Sequence, residues 1–484
     1  MTFARVIGLF LFIILITGCT VGPDYSPPDM GAPDNFVLQD VLNSIYKGHG
    51  EKKHSGNVPV NWWEGFSDPT LNALVDKGLE NNYRISSAAA RLKEARAQFR
   101  LVASGDKPVT TASITPSLQG EKDLEGDKGT DFNSNILGSL GVVLPLDIFG
   151  QVKRQEEAAN AMVESARASL RGTVLQVSSQ IANQYLKLRG DQRQLTLLEQ
   201  SVSLQEKTLS IVKSRYNAGL SPELDVRRAE ASVETLKADI PPLKESLVNT
   251  RNNIATLTGK YPGAYEKLLG DEKEIPEYNG AIPDLVPVKV LTLRPDVQQA
   301  EAELKRAVAG IGVAEAEYYP FFNFAANLSI GSAGLTGERM VNTIVGSIRA
   351  LIEQVVSDGG ERKANLQIAK ARAEQSLAEY RQTLLDAARE VEETLSALES
   401  SSNRQESLEK AVKASKRSFH QAEILYAQGL TSFLDVVDAQ RVLASVQQQL
   451  ASARTDYSTQ VATLFRVLGA GIMQNNQEKA ENDG

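Results

Sequence analysis

The stretch "RYNAGLSPELDV" (Arg215–Val226) returns 210 residues later as "LYAQGLTSFLDV" (Leu425–Val436). Six positions are identical between the two, and both contain a Tyr, a Gly-Leu pair and a Leu-Asp-Val run. The same offset pairs Gly150 with Gly360 upstream, and Gly259 with Gly469 downstream. A constant offset over this distance predicts a duplicated structural unit rather than a chance motif.

Each copy shows the same order of elements: a helical segment, a proline, two strand-like runs and a long helix. We expect strands at Ile114–Gln119, Ile136–Leu146, Phe321–Ile330 and Thr343–Val355. Weak alternation over about ten residues is typical of a strand in a membrane β-barrel. A strand of a soluble β-sandwich would look similar, so this pattern alone leaves both open.

The long helix is predicted from the absence of proline and from a seven-residue repeat. Between Gln151 and Asn217 the chain allows about 67 helical residues, or about 100 Å at 1.5 Å each. The apolar row is Val174, Ile181, Leu188, Leu195, Val202, Leu209 and Tyr216, and its copy has one polar exception, Gln405. Such a repeat predicts a left-handed supercoil. The companion row is small or polar, which suits helices around water, with an ordinary helical bundle as the alternative.

The repeated motif is expected to form a helical turn. Gly219 and Gly429 follow the last periodic residues, where a left-handed C-terminal cap is expected. Ser221 and Pro222 are predicted as N-cap and first residue of a return helix, with Thr431 or Ser432 capping its copy. Each half should therefore contain a helical hairpin of the coiled-coil type.

Composition excludes several classes of function. Removal of residues 1–18 takes away Arg5, leaving 51 basic and 60 acidic residues and a net charge of −9, which argues against nucleic-acid binding. Three histidines and one cysteine are poor material for a transition-metal site. Because no catalytic or phosphate-binding motif is found, we expect no enzyme activity, no cofactor and no metal.

The single cysteine follows an apolar run near the N-terminus. Val6–Ile16 is too short for a transmembrane helix and fits the apolar region of a secretory signal, with Arg5 before it. The residues around Cys19 resemble a lipobox, which implies that Cys19 is lipidated and becomes the first mature residue. An ordinary signal peptide or a buried core cysteine is the alternative. In enterobacterial lipoproteins, an aspartate directly after the lipidated cysteine is the signal for retention in the inner membrane. This chain has Thr20 there, so the resemblance favours sorting to the outer membrane.

Four signatures in order resemble the TolC-like outer-membrane factor family, in its NodT/OprM branch. They are "GCTVGPDY" (Gly18–Tyr25), "WWEGFSDPTLNALV" (Trp62–Val75), "DIPPLKESL" (Asp239–Leu247) and "RPDVQQAEAELKRAVAGIGVAEAEYYP" (Arg294–Pro320). The resemblance covers essentially the whole mature chain. It implies an α+β membrane protein, a homotrimer in which each internally duplicated protomer gives four strands to one twelve-stranded β-barrel. A periplasmic α-helical barrel continues it, with a collar from Trp62–Ser104, Lys260–Leu291 and the C-terminal region.

Repeat and resemblance together divide the chain into eight segments. These are a signal peptide (1–18), a lipidated N-terminal segment with equatorial helices (19–104), a first β-hairpin (105–149), a first long helical hairpin (150–259), a linker with an equatorial helix (260–320), a second β-hairpin (321–357), a second long helical hairpin (358–471) and a C-terminal tail (472–484).

The function implied is that of a passive duct, the outer-membrane component of a tripartite efflux or export system. Its expected partners are two further copies of the chain, a periplasmic adaptor protein, an inner-membrane transporter of the resistance-nodulation-division type and outer-membrane lipid, with no nucleic acid. The alternative from another class is a non-conducting periplasmic structural lipoprotein. An enzyme is a third class, which no residue pattern supports.

The resemblance also assigns site residues. It places a periplasmic gate at Tyr426, Asp438 and Arg441, with Asp225 and Asp435 matching acids of the TolC branch. Where that branch has a gate arginine, this chain has Thr431, so Arg441 must supply the positive charge. Spacing alone puts Asp435, Asp438 and Arg441 on one helical face, and simple solvated charges are the alternative. The expected adaptor contacts are Gly219, Leu220, Gly429 and Leu430, whose glycines equally fit plain helix caps.

Overall fold

The computed structural model describes residues 20–28, 36–38, 60–121, 131–280, 291–335 and 341–470. The predicted signal peptide, Cys19 and the C-terminal tail lie outside these ranges. The chain divides into two compact units. Unit 1 contains Met1–Asp29, Arg91–Ala166 and Gln299–Arg381, and unit 2 contains Met30–Ala90, Arg167–Gln298 and Gln382–Gly484.

The helices and strands follow in chain order. A 3-10 helix at Trp62–Phe66 precedes α1 (Pro69–Asn81), α2 (Tyr83–Val102), β1 (Val109–Glu121), β2 (Asp131–Leu146), α3 (Gln151–Asn217), α4 (Glu223–Ala238), α5 (Ile240–Leu257), α6 (Pro295–Ala316), β3 (Phe321–Leu335), β4 (Val341–Glu353), α7 (Glu361–Ala427) and α8 (Phe433–Val467).

The duplication is visible in the backbone. Helices α3 and α7 both have 67 residues and start 210 positions apart. Left-handed glycines stand at matching places: Gly150 and Gly360 precede the two helices, and Gly219 and Gly429 follow them with φ values of 73° and 74°. Only glycine adopts this conformation without strain, which explains why the glycines mark the repeat.

Unit 1 contains a four-stranded antiparallel sheet in the order β1-β2-β3-β4. β1 begins five residues before the predicted Ile114, and β4 ends at Glu353 rather than Val355. Within the described residues, β1 and β4 each have one neighbouring strand, so the sheet has two open edges. An open edge exposes a row of unpaired backbone groups.

Unit 2 has a core built around aromatic rings and the seven-residue rows of α3 and α7. Trp62 is buried and stacks on Phe465, with ring centroids 5.4 Å apart. Ile181, Leu188 and their copies Val391 and Leu398 are fully buried in the same core, which they share with α5 and α8. The second and third members of each row therefore pack in this core, whereas Tyr216, the last member of the first row, is exposed.

The Arg-Pro-Asp motif at the start of α6 contains a buried arginine. Arg294 donates to both carboxylate oxygens of Asp296, at 3.0 and 2.7 Å, and to Glu390 at 2.8 Å. It also donates to the backbone carbonyls of Ala387 and Val467. A single side chain thereby joins the start of α6 to α7 and to the end of α8.

Candidate functional site

The two repeated turns end α3 and α7 in the same hydrogen-bond pattern. The Gly219 N–H donates to the Tyr216 carbonyl at 2.8 Å and the Leu220 N–H to the Arg215 carbonyl at 2.9 Å. Gly429 and Leu430 repeat both bonds. This is the Schellman motif, which satisfies the last helical carbonyls without side chains. Leu220 and Leu430 are left 67% and 71% exposed at the tips, free to contact another molecule.

The return helices α4 and α8 begin differently. The prediction of Ser221 as an N-cap is wrong: Pro222 occupies that position, and the buried Ser221 Oγ has no partner among the described residues. The prediction for the copy is confirmed at Ser432, whose Oγ accepts from the Asp435 N–H. The Asp435 carboxylate accepts in return from the Ser432 N–H at 3.0 Å, completing a capping box.

The Asp435 carboxylate also accepts from the hydroxyl of Thr431 at 2.6 Å. This bond, with those from Ser432, holds the pKa of Asp435 below its ordinary value. The Asp435 carboxylate thus accepts from three groups at the cap of its own helix: the Thr431 hydroxyl, the Ser432 hydroxyl and the Ser432 N–H. These bonds place the carboxylate at the start of α8.

The Ser432→Ala variant is expected to weaken the start of α8 by about 0.5–2 kcal/mol, the usual effect of losing an N-cap. Amide exchange of the Asp435 N–H should speed up accordingly. Ser221→Ala is the matched control, because its hydroxyl caps nothing. If both variants exchange alike at their helix starts, the capping box contributes no stability.

The ring of Tyr426 is the centre of the contacts near the second tip. The guanidinium of Arg215 lies 4.9 Å from its centroid, which links the end of α3 to the end of α7. Phe433 packs against the ring from the other side of the turn, at 5.9 Å. Burial raises the pKa of the Tyr426 hydroxyl; the Arg215 charge opposes this shift and the Asp225 charge adds to it. Asp225 and Tyr426 therefore interact electrostatically, and their role in a gate stays a prediction.

Arg215 was not among the predicted site residues. Its partner Tyr426 is 211 positions away, and no local pattern marks such a contact. The one available signal is its position beside Tyr216, the last member of the seven-residue row. Because a cation over an aromatic face contributes about 0.5–1 kcal/mol at an exposed site, Arg215 supports Tyr426 measurably.

The remaining two predicted gate residues, Asp438 and Arg441, lie together on α8. An Arg441 nitrogen is 3.2 Å from an Asp438 carboxylate oxygen, and the two side chains are 78% and 54% exposed. A pair on one helix turn cannot hold two helices together. At this exposure it contributes about 0–1 kcal/mol. Both side chains remain accessible to a group on another molecule.

The strand register sorts the sheet into two faces. The even-numbered face is mainly apolar: Ala112, Ile114, Pro116, Leu118, Ile136, Leu140, Val142, Leu144, Leu146, Phe322, Phe324, Ala326, Leu328, Ile330, Ile344, Ile348, Ala350 and Ile352, with Thr110 and Ser134 as polar exceptions. The odd-numbered face is more polar: Thr111, Ser113, Thr115, Ser117, Ser139, Asn323, Asn327, Ser329, Thr343, Ser347 and Arg349, with Val109, Leu137, Val143, Phe321, Ala325, Val345 and Leu351 between them.

The apolar face is open. Ile114 and Ile348 are 79% and 83% exposed, so the described residues of the protomer do not cover them. On the odd-numbered face the hydroxyls of Ser113 and Ser139 bond to each other at 2.7 Å. One face therefore suits hydrocarbon and the other suits water, as in a strand of a membrane barrel.

Aromatic rings gather at one end of this sheet. Phe149, just after β2, stacks on Tyr319 at 4.6 Å and lies 6.4 Å from Phe322 at the start of β3. We call these three residues the aromatic band. Aromatic side chains are enriched where a membrane protein crosses from hydrocarbon to the headgroup region.

Two negative findings apply to the described ranges. Their helices contain no stretch that combines the length and apolarity needed to span a membrane. Their histidine, cysteine and acidic side chains form no group of three or more that could hold a metal ion.

Comparison with known proteins identifies the class. The sequence matches the outer membrane efflux protein family over residues 74–260 and 286–470, and the chain belongs to this family. The two matched segments correspond to the two copies of the repeat. The resemblance to outer-membrane factors drawn from four short motifs is thereby confirmed.

Individual relatives cover nearly the whole chain. Nodulation protein T of Rhizobium leguminosarum bv. trifolii is 30% identical over 463 residues, which are 95% of this chain and 96% of that protein. Cation efflux system protein CusC of Escherichia coli (strain CFT073) is 27% identical over 96% of this chain and 98% of its own length. The solved structure of the outer-membrane channel OprN superposes with a TM-score of 0.84 at 29% identity, covering 93% of this chain and 99% of that one.

Proposed function

We propose that this protein is the outer-membrane channel component of a tripartite efflux or export system. It acts as a passive duct that is gated at its periplasmic end. The sheet supports this proposal most directly, because an apolar face, a polar face and two open edges are what a segment of a membrane pore requires. A periplasmic spacer without a pore, the other class considered, needs no such sheet.

The open edges argue that the duct is an oligomer. A membrane barrel needs about eight strands or more, and a protomer has four in its described residues. Edges exposed to lipid are not tolerated, because no water is present to satisfy the backbone. We therefore propose that β1 of one copy pairs with β4 of the next. Three copies supply twelve strands, the number that the family resemblance implies.

The tips of the helical hairpins are the proposed contact with a periplasmic adaptor protein. Gly219, Leu220, Gly429 and Leu430 present two exposed leucines on turns closed by backbone hydrogen bonds, and a Cβ on either glycine would meet no atom of the described residues within 4 Å. An inner-membrane transporter, which we propose to be of the resistance-nodulation-division type, would complete the system. A passive duct itself requires no cofactor.

The mature N-terminus is proposed to be lipidated Cys19, which anchors the protein in the outer membrane. The apolar run before it and the small residues around it support this assignment. The measurement is the intact mass of the purified chain. We expect cleavage before Cys19 and the added mass of the acyl groups, and Cys19→Ser should remove both.

The decisive experiment for the channel is conductance of the purified protein in planar bilayers. We expect discrete conductance steps in the bilayer. In electron micrographs, the same purified protein should form particles with three-fold symmetry. Detergent-solubilised protein that inserts but never conducts would support the spacer. A particle without three-fold symmetry would contradict the proposed strand pairing.

We propose that Arg441 helps to hold the periplasmic end closed by meeting an acid of a neighbouring copy. Arg441→Glu should therefore raise the open-channel probability. Three weak pairs of up to about 1 kcal/mol each would shift the open-to-closed ratio by up to about a hundredfold. Tyr426→Phe should have a smaller effect, because it keeps the ring over Arg215. Single-channel recording at low salt is the measurement.

The matched control for this gate is Arg389→Glu. Arg389 is also an exposed arginine paired with acids on its own helix, Asp386 and Glu393, far along α7 from the tip. High salt should narrow the difference between Arg441→Glu and wild type, since screening acts within about 10 Å at 0.1 M. If both arginine variants conduct like wild type, the closing contacts involve other residues.

A further inference from the structure

The segment Thr20–Tyr25, which directly follows Cys19, is bound to the rest of unit 1 through a buried arginine. Arg154, on the first turn of α3, donates to the backbone carbonyls of Val21 at 3.0 Å and Gly22 at 2.9 Å. It also bonds the Asp24 carboxylate at 2.9 Å. Its side chain is only 3% exposed, although a charged side chain is rarely buried to this extent.

Glycines shape the socket into which this segment fits. Gly22 has a φ of 90°, and a Cβ built on it would overlap the Cα of Gly312 on α6. A Cβ on Gly312 would in turn come within 2.8 Å of the Arg154 side chain. A Cβ on Gly150 would overlap Thr20. This close backbone approach requires glycine at each place.

The far end of the segment has its own contacts. The Tyr25 hydroxyl donates to Glu301 at 3.2 Å, and the Lys305 ammonium lies 5.5 Å from the centre of the Tyr25 ring. Burial, followed by the charge of Glu301, raises the pKa of Tyr25, so the hydroxyl stays protonated and remains a donor. The segment is thus bound at both ends, through Val21 and Gly22 at one end and through Tyr25 at the other.

The duplicated half of the chain lacks these features. The position that corresponds to Arg154 is Ala364, and a Cβ on Gly360, which corresponds to Gly150, would meet nothing within 4 Å among the described residues. The chain offers two similar helix starts, and only the first is built to receive the segment. This difference is what a dedicated attachment requires.

We propose that Arg154 is the positioning residue for the lipid anchor. It clamps Thr20–Tyr25 to the rest of unit 1, so that the acylated Cys19 enters lipid beside the aromatic band. The Val21 N–H donates to the carbonyl of Phe149, a member of that band, at 3.2 Å. Cys19 directly precedes Thr20 in the sequence. The inference rests on the proposed lipidation of Cys19 and does not depend on gating.

The test uses a spin label on the full-length, membrane-reconstituted protein. Pro23 is exposed and lies between Gly22 and Asp24, which both contact Arg154, and in the acylated chain a Pro23→Cys substitution supplies the single free thiol. We expect the label to be immobilised in the parent and mobile after Arg154→Met. Exchange of the Val21 amide, measured in parallel, should accelerate by at least about tenfold. Lys153→Met is the matched control, because it removes the same charge one residue earlier from an exposed side chain.

Equal label mobility and equal Val21 exchange in the Arg154→Met and Lys153→Met proteins would overturn the proposal. Should Arg154→Met fail to assemble, Gly22→Ala replaces it. That substitution changes a residue of the clamped segment and no residue of α3 or α6. Because the added Cβ would overlap Gly312, it should displace the segment and free the label in the same way. Unchanged mobility in Gly22→Ala also overturns the clamp. Intact mass confirms acylation in each sample, and bilayer conductance, recorded separately, reports on the channel rather than on the clamp.

Discussion

Arg294→Met is expected to destabilise the protein by about 3–5 kcal/mol, the usual result of removing one partner from a buried charge network. The substitution leaves two carboxylates, Asp296 and Glu390, without the guanidinium that neutralises them. It also removes the donor that two backbone carbonyls share. A chain of this size does not unfold in one step. The measurement is therefore the midpoint temperature for loss of helical circular dichroism in detergent.

The internal repeat supplies the control for this substitution. Arg84 stands 210 positions before Arg294 and bonds the neutral amides of Gln176 and Gln180, both at 3.2 Å, from an exposed position. Arg84→Met should cost less than about 1 kcal/mol, because water can replace these bonds. If the two variants lower the midpoint equally, the buried network contributes no more than a surface contact.

The same network predicts a dependence on pH. Burial alone would raise the pKa of Asp296, but the hydrogen bonds and charge of Arg294 outweigh it and keep that pKa below its ordinary value of 3.8. Because the folded-state pKa is depressed, the stabilisation is present above pH 3.8 and is lost as the pH falls below this value. The Arg294→Met variant should lack this part of the acid dependence.

Leu140→Lys is expected to prevent assembly in the membrane, whereas Ser139→Lys should be tolerated. The two residues are neighbours on β2 but belong to opposite faces. Leu140 lies in an apolar row with Ala112 and Leu328, and a lysine facing lipid near the middle of the bilayer costs about 2–4 kcal/mol per copy. The measurement is the amount of assembled protein in purified outer membranes.

Ser139→Lys provides both the control and a second readout. It removes the bond to Ser113 and adds a positive charge on the polar face. If that face lines the pore, the reversal potential under a salt gradient should shift toward anions. Equal assembly of the two variants would contradict the assignment of the even-numbered face to hydrocarbon.

The long helices and their turns could be predicted because their determinants are local. The absence of proline, the seven-residue row and Gly219 predict a helix from Gln151 to Asn217, and α3 has these ends in the structure. The beginning of β1 was missed because its residues from Val109 to Ser113 are mostly small and polar. They belong to the strand because all five pair with β2, and Thr111 and Ser113 occupy the odd-numbered face, which becomes apparent only from the register.

The site was harder to predict because its contacts are distant in sequence. Asp438 and Arg441 are three positions apart, and their pairing could be derived from helix geometry. The contact of Tyr426 with Arg215 and the clamp at Arg154 join residues more than a hundred positions apart. The wrong assignment of Ser221 as the N-cap of α4 has a different cause. Pro222, read as the first helical residue, is itself the cap.

The two open edges of the sheet have a consequence for gene dosage. In the proposed ring, a protomer whose β1 and β4 each have one neighbouring strand contributes to a pore only when copies on either side accept those edges. In a cell that makes intact and edge-defective chains in equal amounts, a ring of three would consist of intact chains in about one case in eight if the chains mix freely. A defective allele with a broken edge would therefore act dominantly, and the loss of pores would exceed the loss of normal protein.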